Sequence, residues 1–229
     1  MASNRRAFLT ATAVGALAAA PASAASADPD ARPRPPVTAR SALAELLAGN
    51  RRYANGGSRH PHEGNGRRHA LAAGQHPFAV VVGCIDSRVP PELVFDQGLG
   101  DLICIRTAGQ VLDEAVLASI QYGVQELHIP LVLVLGHERC GAVAATLDHL
   151  RTGAPVPGHL ELLVDEIAPA ALRTRGLPGD WAEHTMRANT VWVRDAIRAD
   201  PAFTSAHITA ARFDLDTGLV SLLPSTTRR

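Results

Sequence analysis

Two short segments carry the side chains best suited to hold a metal: Cys84-Ile85-Asp86-Ser87-Arg88 and Gly136-His137-Glu138-Arg139-Cys140-Gly141. Each follows an apolar run, 78–82 and 129–135, so both sets of donors fall where a strand would end. Two thiolates and one imidazole make a Cys2His set. That set suits tetrahedral Zn²⁺ and leaves a fourth position for water or substrate, as catalytic zinc sites do. Taken alone, Cys84 reads as a small buried hydrophobe and His137 as a core or capping histidine. The two segments together favour the metal.

The elements that must position these donors alternate along the chain. A helix is expected over 42–54, where Leu43, Leu46 and Leu47 recur at helical spacing, followed by a polar loop containing Gly56-Gly57 and Gly64-Asn65-Gly66. Strands are expected over 78–84, 102–107 and 129–135, and helices over 113–126, 141–151, 159–171 and 181–199. The strands are almost continuous apolar runs, as in parallel strands covered by helices on both faces, so the fold class is α/β with a mainly parallel central sheet. A late strand pair, 208–215 and 219–223 around Asp216-Thr217-Gly218, is expected at the sheet edge near the C-terminus. In such a sheet the ligand crevice lies outside the carboxyl ends of the strands, where both metal segments fall. Cys140 would then sit on the first turn of the next helix, whose amino-terminal dipole favours a thiolate.

Outside that core, Asn4-Arg5-Arg6-Ala7-Phe8-Leu9 and the Ala-rich stretch to Ala20 have the layout of an export signal over 1–27, cleaved after Ala24 or Ala27. The adjacent arginines resemble the twin-arginine signal, so an exported, extracytoplasmic protein is expected. The apolar part is too short for a membrane span. Positions 28–40, rich in Pro and Arg, read as a solvated linker, leaving 41–229 as one domain. Formal net charge is zero and nothing points to nucleic acid. All 22 basic residues are Arg, a bias of coding composition. Three cysteines leave an odd thiol under any pairing, which argues against a disulfide framework. Cys104, inside the second strand, reads as a buried hydrophobe.

The motif Cys84-x-Asp86-Ser87-Arg88, about 50 residues before Gly136-His137-x-x-Cys140-Gly141, resembles the β-class carbonic anhydrases. The likeness takes in Leu46 to Arg52, Gly74-Gln75-His76-Pro77, Phe95-Asp96-Gln97, Arg106-Thr107-Ala108-Gly109 and Ile120-Gln121-Tyr122-Gly123. It is loose over the last 50 or so residues. It implies reversible hydration of carbon dioxide to bicarbonate and a proton, with Cys84, His137 and Cys140 as ligands of one Zn²⁺ per subunit. Zinc would supply the nucleophile by lowering the pKa of bound water. Two thiolates place more negative charge on the metal than neutral histidines would, so the rate should climb with pH.

By the same resemblance Asp86 and Arg88 form the catalytic dyad, Arg88 holding Asp86 by a charge-assisted pair. Asp86 could otherwise swing onto the metal as a conditional fourth ligand in a closed form. Gln75, Ile103, Gly109 and Tyr122 match substrate-pocket positions, Tyr122 reaching its pocket across a dimer interface. A homodimer or higher homo-oligomer is implied. Ile103 stands where better-known members carry Phe. Val81 replaces the Trp of the branch with a second, inhibitory bicarbonate site, so a form open near neutral pH is expected. Two other readings compete: a non-catalytic structural or sensory zinc protein, and a hydrolase of carbon disulfide or carbonyl sulfide. The histidines His60, His62, His69 and His76 and the bulky Trp181, Met186 and Trp192 read as loop and packing residues.

Overall fold

A computed structural model describes residues 38–224. The export-signal reading over 1–27 and most of the linker reading lie outside the described residues. The linker ends sooner than expected, because Thr38 caps helix α1 (Ala39–Ala54). The Ser41 amide donates to Thr38 Oγ1 at 3.2 Å and the Thr38 amide to Ser41 Oγ at 2.9 Å, a reciprocal pair that satisfies two otherwise orphaned donors.

Five strands form one sheet in the order β2 (Leu102–Thr107), β1 (Ala79–Cys84), β3 (Leu131–His137), β4 (His207–Phe213), β5 (Val220–Leu222). The first four are parallel and only β5 is antiparallel. The expected late pair is present, β4 and β5 running antiparallel at the C-terminal edge of the sheet, and β4 in addition joins β3 as a fourth parallel strand. Every residue of β1 and β3 is buried.

Alternate side chains enter two cores. Val81, Leu131, Leu133 and Leu135 pack with Leu46 of α1 and with Val94 and Phe95 around the short α3 (Pro91–Val94). Val80, Val82, Val132 and Val134 pack with Val116 and Ile120 of α4 (Glu114–Gln121) and with Val193 and Ile197 of α7 (Trp181–Ala199). Burial on both faces explains why these strands read as unbroken apolar runs.

Three further expectations are adjusted. The third strand lies two residues later, so His137 ends it rather than follows it. The polar loop contains a helix, α2 (Asn65–Leu71), anchored by Arg67, whose Nε donates to the Leu99 carbonyl at 3.0 Å. The expected helix over 113–126 is α-helical only to Gln121 and continues as a π-turn, Tyr122–Glu126. Helices α5 (Gly141–Thr152) and α6 (Glu161–Thr174) complete the fold, and no helix among the described residues is long and apolar enough to cross a membrane.

Candidate metal centre

The carboxyl ends of β1 and β3 stand side by side, which brings their last residues, Cys84 and His137, together; Cys140 caps α5 immediately beyond. All three are buried, and their donor atoms lie within 4.8 Å of one another. The Cys84 and Cys140 sulfurs are 4.0 Å apart. Two sulfurs on one tetrahedral zinc, each about 2.3 Å from it, would lie about 3.8 Å apart. The spacing therefore fits.

The imidazole fits as well. His137 Nδ1 lies 2.8 Å from the Glu138 carbonyl, which can only accept, so Nδ1 carries the proton and Nε2 the lone pair. Nε2 is buried without a hydrogen-bond partner. An orphaned buried acceptor costs about 1–3 kcal/mol, and a cation facing it removes that penalty. The carbonyl acts as the outer hydrogen bond that fixes the ring of a metal-binding histidine.

As neighbouring thiols the two cysteines titrate unequally. The Cys140 thiol hydrogen-bonds to the Cys84 sulfur and holds Cys84 far below the ordinary thiol range against the opposing effect of burial, with help from His137 and the Gly109 amide. That bond to the Cys84 thiolate, together with burial, pushes Cys140 up. Burial disfavours the His137 cation, yet the neighbouring Cys84 sulfur, with smaller help from the Glu138 carbonyl and the Asp86 charge, outweighs it and raises its pKa.

Asp86 and Arg88 flank the centre. Arg88 grips the carboxylate with two parallel bonds, Nε to Oδ1 at 2.9 Å and Nη2 to Oδ2 at 2.7 Å, and its amide donates to Oδ1 at 3.0 Å. The guanidinium beside Asp86 holds its carboxyl well below the usual carboxylate range, against a smaller effect of burial. Asp86 Oδ2 lies 3.9 Å from His137 Nε2, so the carboxylate borders the donor set. Arg88 Nη2 also donates to the Arg139 carbonyl at 3.3 Å and so ties the two ligand segments together.

Of the remaining expected site residues, Gly109 is present, its amide donating to Cys84 Sγ at 3.4 Å. Gln75, Ile103 and Tyr122 are not. Gln75 precedes β1, Ile103 is the second residue of β2 and Tyr122 follows α4, all at the amino end of the strands. The six residues of β1 alone span about 17–20 Å, so these three do not line the metal centre of their own chain. Tyr122 is 55% exposed, available to another molecule.

Two groups at the centre are given no role by the sequence reading, although Arg106 falls in a segment that resembles the family. Arg106 donates from Nε to the Cys84 carbonyl at 2.8 Å and from Nη2 to the Asp86 carbonyl at 2.6 Å, bracing the turn that carries both. An arginine inside an otherwise apolar strand was the available signal. Asn189 of α7 donates to the Gly109 carbonyl at 2.9 Å. An asparagine in the buried stripe between Met186 and Val193 was its signal.

An α/β fold thus carries, at the carboxyl end of its parallel sheet, a buried Cys2His donor set that could hold a metal ion, beside an arginine-held carboxylate. The sequence profile of the family described as carbonic anhydrase matches residues 79–220, well over half of the chain. This chain belongs to that family, in its β class. It is 49% identical over 140 residues to carbonic anhydrase 2 of Mycobacterium tuberculosis, an alignment covering 61% of this chain and 66% of that protein. The same figures hold for the carbonic anhydrase of Mycolicibacterium smegmatis. The match thus spans slightly less than two thirds of these relatives.

Among solved structures, a tetrameric β-carbonic anhydrase of Sordaria macrospora shares the fold with a TM-score of 0.64 at 19% identity, over 81% of this chain and 98% of the other. The β-carbonic anhydrase CafA of Aspergillus fumigatus does so with a TM-score of 0.62 at 22% identity, over 81% and 92%.

Proposed function

We propose that this protein catalyses the reversible hydration of carbon dioxide to bicarbonate and a proton, holding one Zn²⁺ per subunit on Cys84, His137 and Cys140. The observation that carries the proposal is the orphaned, buried Nε2 of His137, converging with two sulfurs next to a carboxylate that is itself held in place. When bound, zinc supplies a Lewis acid that makes water nucleophilic near neutral pH.

The chain's own residues supply orientation. Asp86, ionised throughout the physiological range, accepts a hydrogen bond from the attacking water and directs its lone pair toward carbon. Arg88 keeps both carboxylate oxygens engaged, so Asp86 does not move onto the metal. That arrangement, with Val81 in place of Trp, supports a form that is open near neutral pH.

Gln75, Ile103 and Tyr122 serve the substrate pocket of a second subunit, so the active unit is a homodimer or a larger homo-oligomer. Their separation from the chain's own centre supports this reading, as does the exposure of Ile85, Leu93 and Leu99 together with Tyr122. The protein is exported by the twin-arginine route after folding, and the signal is removed after Ala24 or Ala27.

Metal analysis with stopped-flow carbon dioxide hydration tests the activity. Wild type should carry zinc and turn over faster as pH rises from neutral to alkaline. Cys84→Ala should lose both metal and activity, and Asp86→Ala should keep zinc and fold while losing turnover. Zinc-loaded wild type without hydration activity would end the proposal. Light scattering reports the oligomer, and mass spectrometry of the secreted chain reports its first residue.

A further inference from the structure

Helix α7 packs against Gly136, the residue before His137, and against the turn at Gly109 and Gln110. Asn189 is 3% exposed, and its Nδ2 donates to the Gly109 carbonyl at 2.9 Å. The amide of that same glycine donates to Cys84 Sγ at 3.4 Å. One position further along, Thr190 Oγ1 accepts from Gln110 Nε2 at 3.2 Å and donates to the Met186 carbonyl at 2.8 Å. Gly109 and Gln110 have φ of 65° and 58°, two successive left-handed residues, the second of them not a glycine. Such a turn persists only where its surroundings over-determine it. Both residues are buried, and the bonds from α7 provide that determination.

Gly109 also has no room to relax toward the metal centre with a side chain. A Cβ at this position would lie 2.8 Å from Ile167 Cδ1 and 3.1 Å from Ala142 Cβ. The residue is therefore held from three sides: by α7 through its carbonyl, by α5 and α6 through van der Waals contact, and by Cys84 through its amide.

We infer that Asn189 is a positioning residue for the metal centre: by fixing the Gly109 carbonyl it keeps the Gly109 N–H aimed at the Cys84 sulfur. An N–H aimed at a thiolate draws off part of its charge and fixes its direction, so Asn189 acts on a metal ligand from 80 residues past the glycine. The inference rests on the zinc reading above, and it concerns a helix outside the two ligand segments.

The test uses the full chain in three variants: Asn189→Leu, Asn189→Ser and, as a control, Thr185→Val. Thr185 lies one turn earlier on α7, and its hydroxyl pairs with Thr174 at 3.1 Å, away from the ligand segments. Zinc affinity is measured by chelator competition, and the sulfur-to-metal charge-transfer band is recorded after Co²⁺ loading. Both Asn189 variants should bind zinc about tenfold or more weakly and show a displaced cobalt band. Thr185→Val should lower only the melting temperature. Asn189 variants that lose melting temperature yet keep wild-type affinity and cobalt spectrum would overturn the inference.

Should neither Asn189 variant fold, hydrogen exchange of the Gly109 amide in zinc-loaded wild type decides: strong protection supports the bond to sulfur, and rapid exchange refutes it. Wild type that takes up neither zinc nor cobalt is a separate result, and it refutes the metal reading itself.

Discussion

Gly136 precedes His137 on β3, and α7 presses directly on it. A methyl group there would lie 2.1 Å from Thr190 Oγ1, 2.9 Å from Met186 Sδ and 3.2 Å from Gln110 Nε2. A relaxed carbon–oxygen approach is about 3.3 Å or more, so Gly136→Ala must open the interface by roughly 1 Å. Met186 can bend away, but Thr190 is β-branched on a helix and cannot move without abandoning its bonds to Met186 and Gln110. Overpacking of this kind costs about 1–3 kcal/mol. Because the next residue is the imidazole ligand, part of that cost should appear as weakened zinc affinity.

The pair separates strain from a general defect. Thr190→Ala alone deletes a hydrogen bond and strands the Gln110 amide, at a cost of about 1–3 kcal/mol. In the double variant the new methyl group occupies the space the hydroxyl has left. The two losses should therefore fall short of additivity by about 1–2 kcal/mol. Gly49→Ala is the contrasting case, since its Cβ would lie 1.8 Å from the Phe95 carbonyl oxygen, a backbone atom that no truncation removes. Urea unfolding of the four Gly136/Thr190 proteins, with and without equimolar zinc, measures the cycle. Strict additivity, or a Gly136→Ala protein as stable as wild type, refutes the steric account.

Three other outcomes are expected. Asp96 is buried, and although burial opposes its charge, the Arg52 guanidinium and the amides of His60 and Arg59 hold its carboxyl below the usual range. A depressed folded pKa means that its contribution is complete above the unfolded value, about 3.9, and is lost as pH falls through the folded value. Asp96→Asn should therefore lose about 2 kcal/mol near neutral pH, with the gap to wild type closing in acid; a pH-independent gap would contradict this. Cys104 is pushed above the ordinary thiol range by burial first and by the charge of Glu92 next. Iodoacetamide at about pH 8 should spare it in the zinc-loaded protein, and modification of Cys104 before Cys84 or Cys140 after chelation would count against that environment. Removal of zinc should lower the unfolding free energy by about 3 kcal/mol relative to protein held at a hundredfold excess over Kd, and calorimetry showing no change would exclude a site linked to folding.

The ligands could be read from the sequence because their chemistry restricts residue type and their strands restrict place. Nothing else in the chain substitutes for two thiolates and an imidazole, and the buried runs that end in Cys84 and His137 carry their own signal of parallel strands. Local signals failed where a distant partner decides. Gly64 and Gly66 look like loop residues, yet α2 forms because Arg67 finds the Leu99 carbonyl and Asp101 Oδ1 more than thirty residues away. The turn at Asp216 to Gly218 announces an antiparallel pair, but the parallel pairing of Leu131 with His207 across 76 residues leaves no local trace.

The same division runs through the metal centre. Cys84, His137, Cys140, Asp86 and Arg88 act through side-chain chemistry, so type and spacing reveal them. Gly109 acts through a backbone amide, Arg106 through two carbonyls and Asn189 through a third. Backbone groups are the same in every residue, so a motif cannot show which one faces the sulfur or what keeps it there. What can be read beforehand is the anomaly on the side-chain partner, a polar residue kept where the periodicity calls for an apolar one. Arg106 in β2 and Asn189 in α7 both break their apolar pattern, and both end on the backbone that carries the ligands or faces their sulfur. A polar residue that breaks the apolar pattern of a regular element is thus a pointer to the backbone it serves, and for Arg106 and Asn189 that backbone belongs to the metal centre.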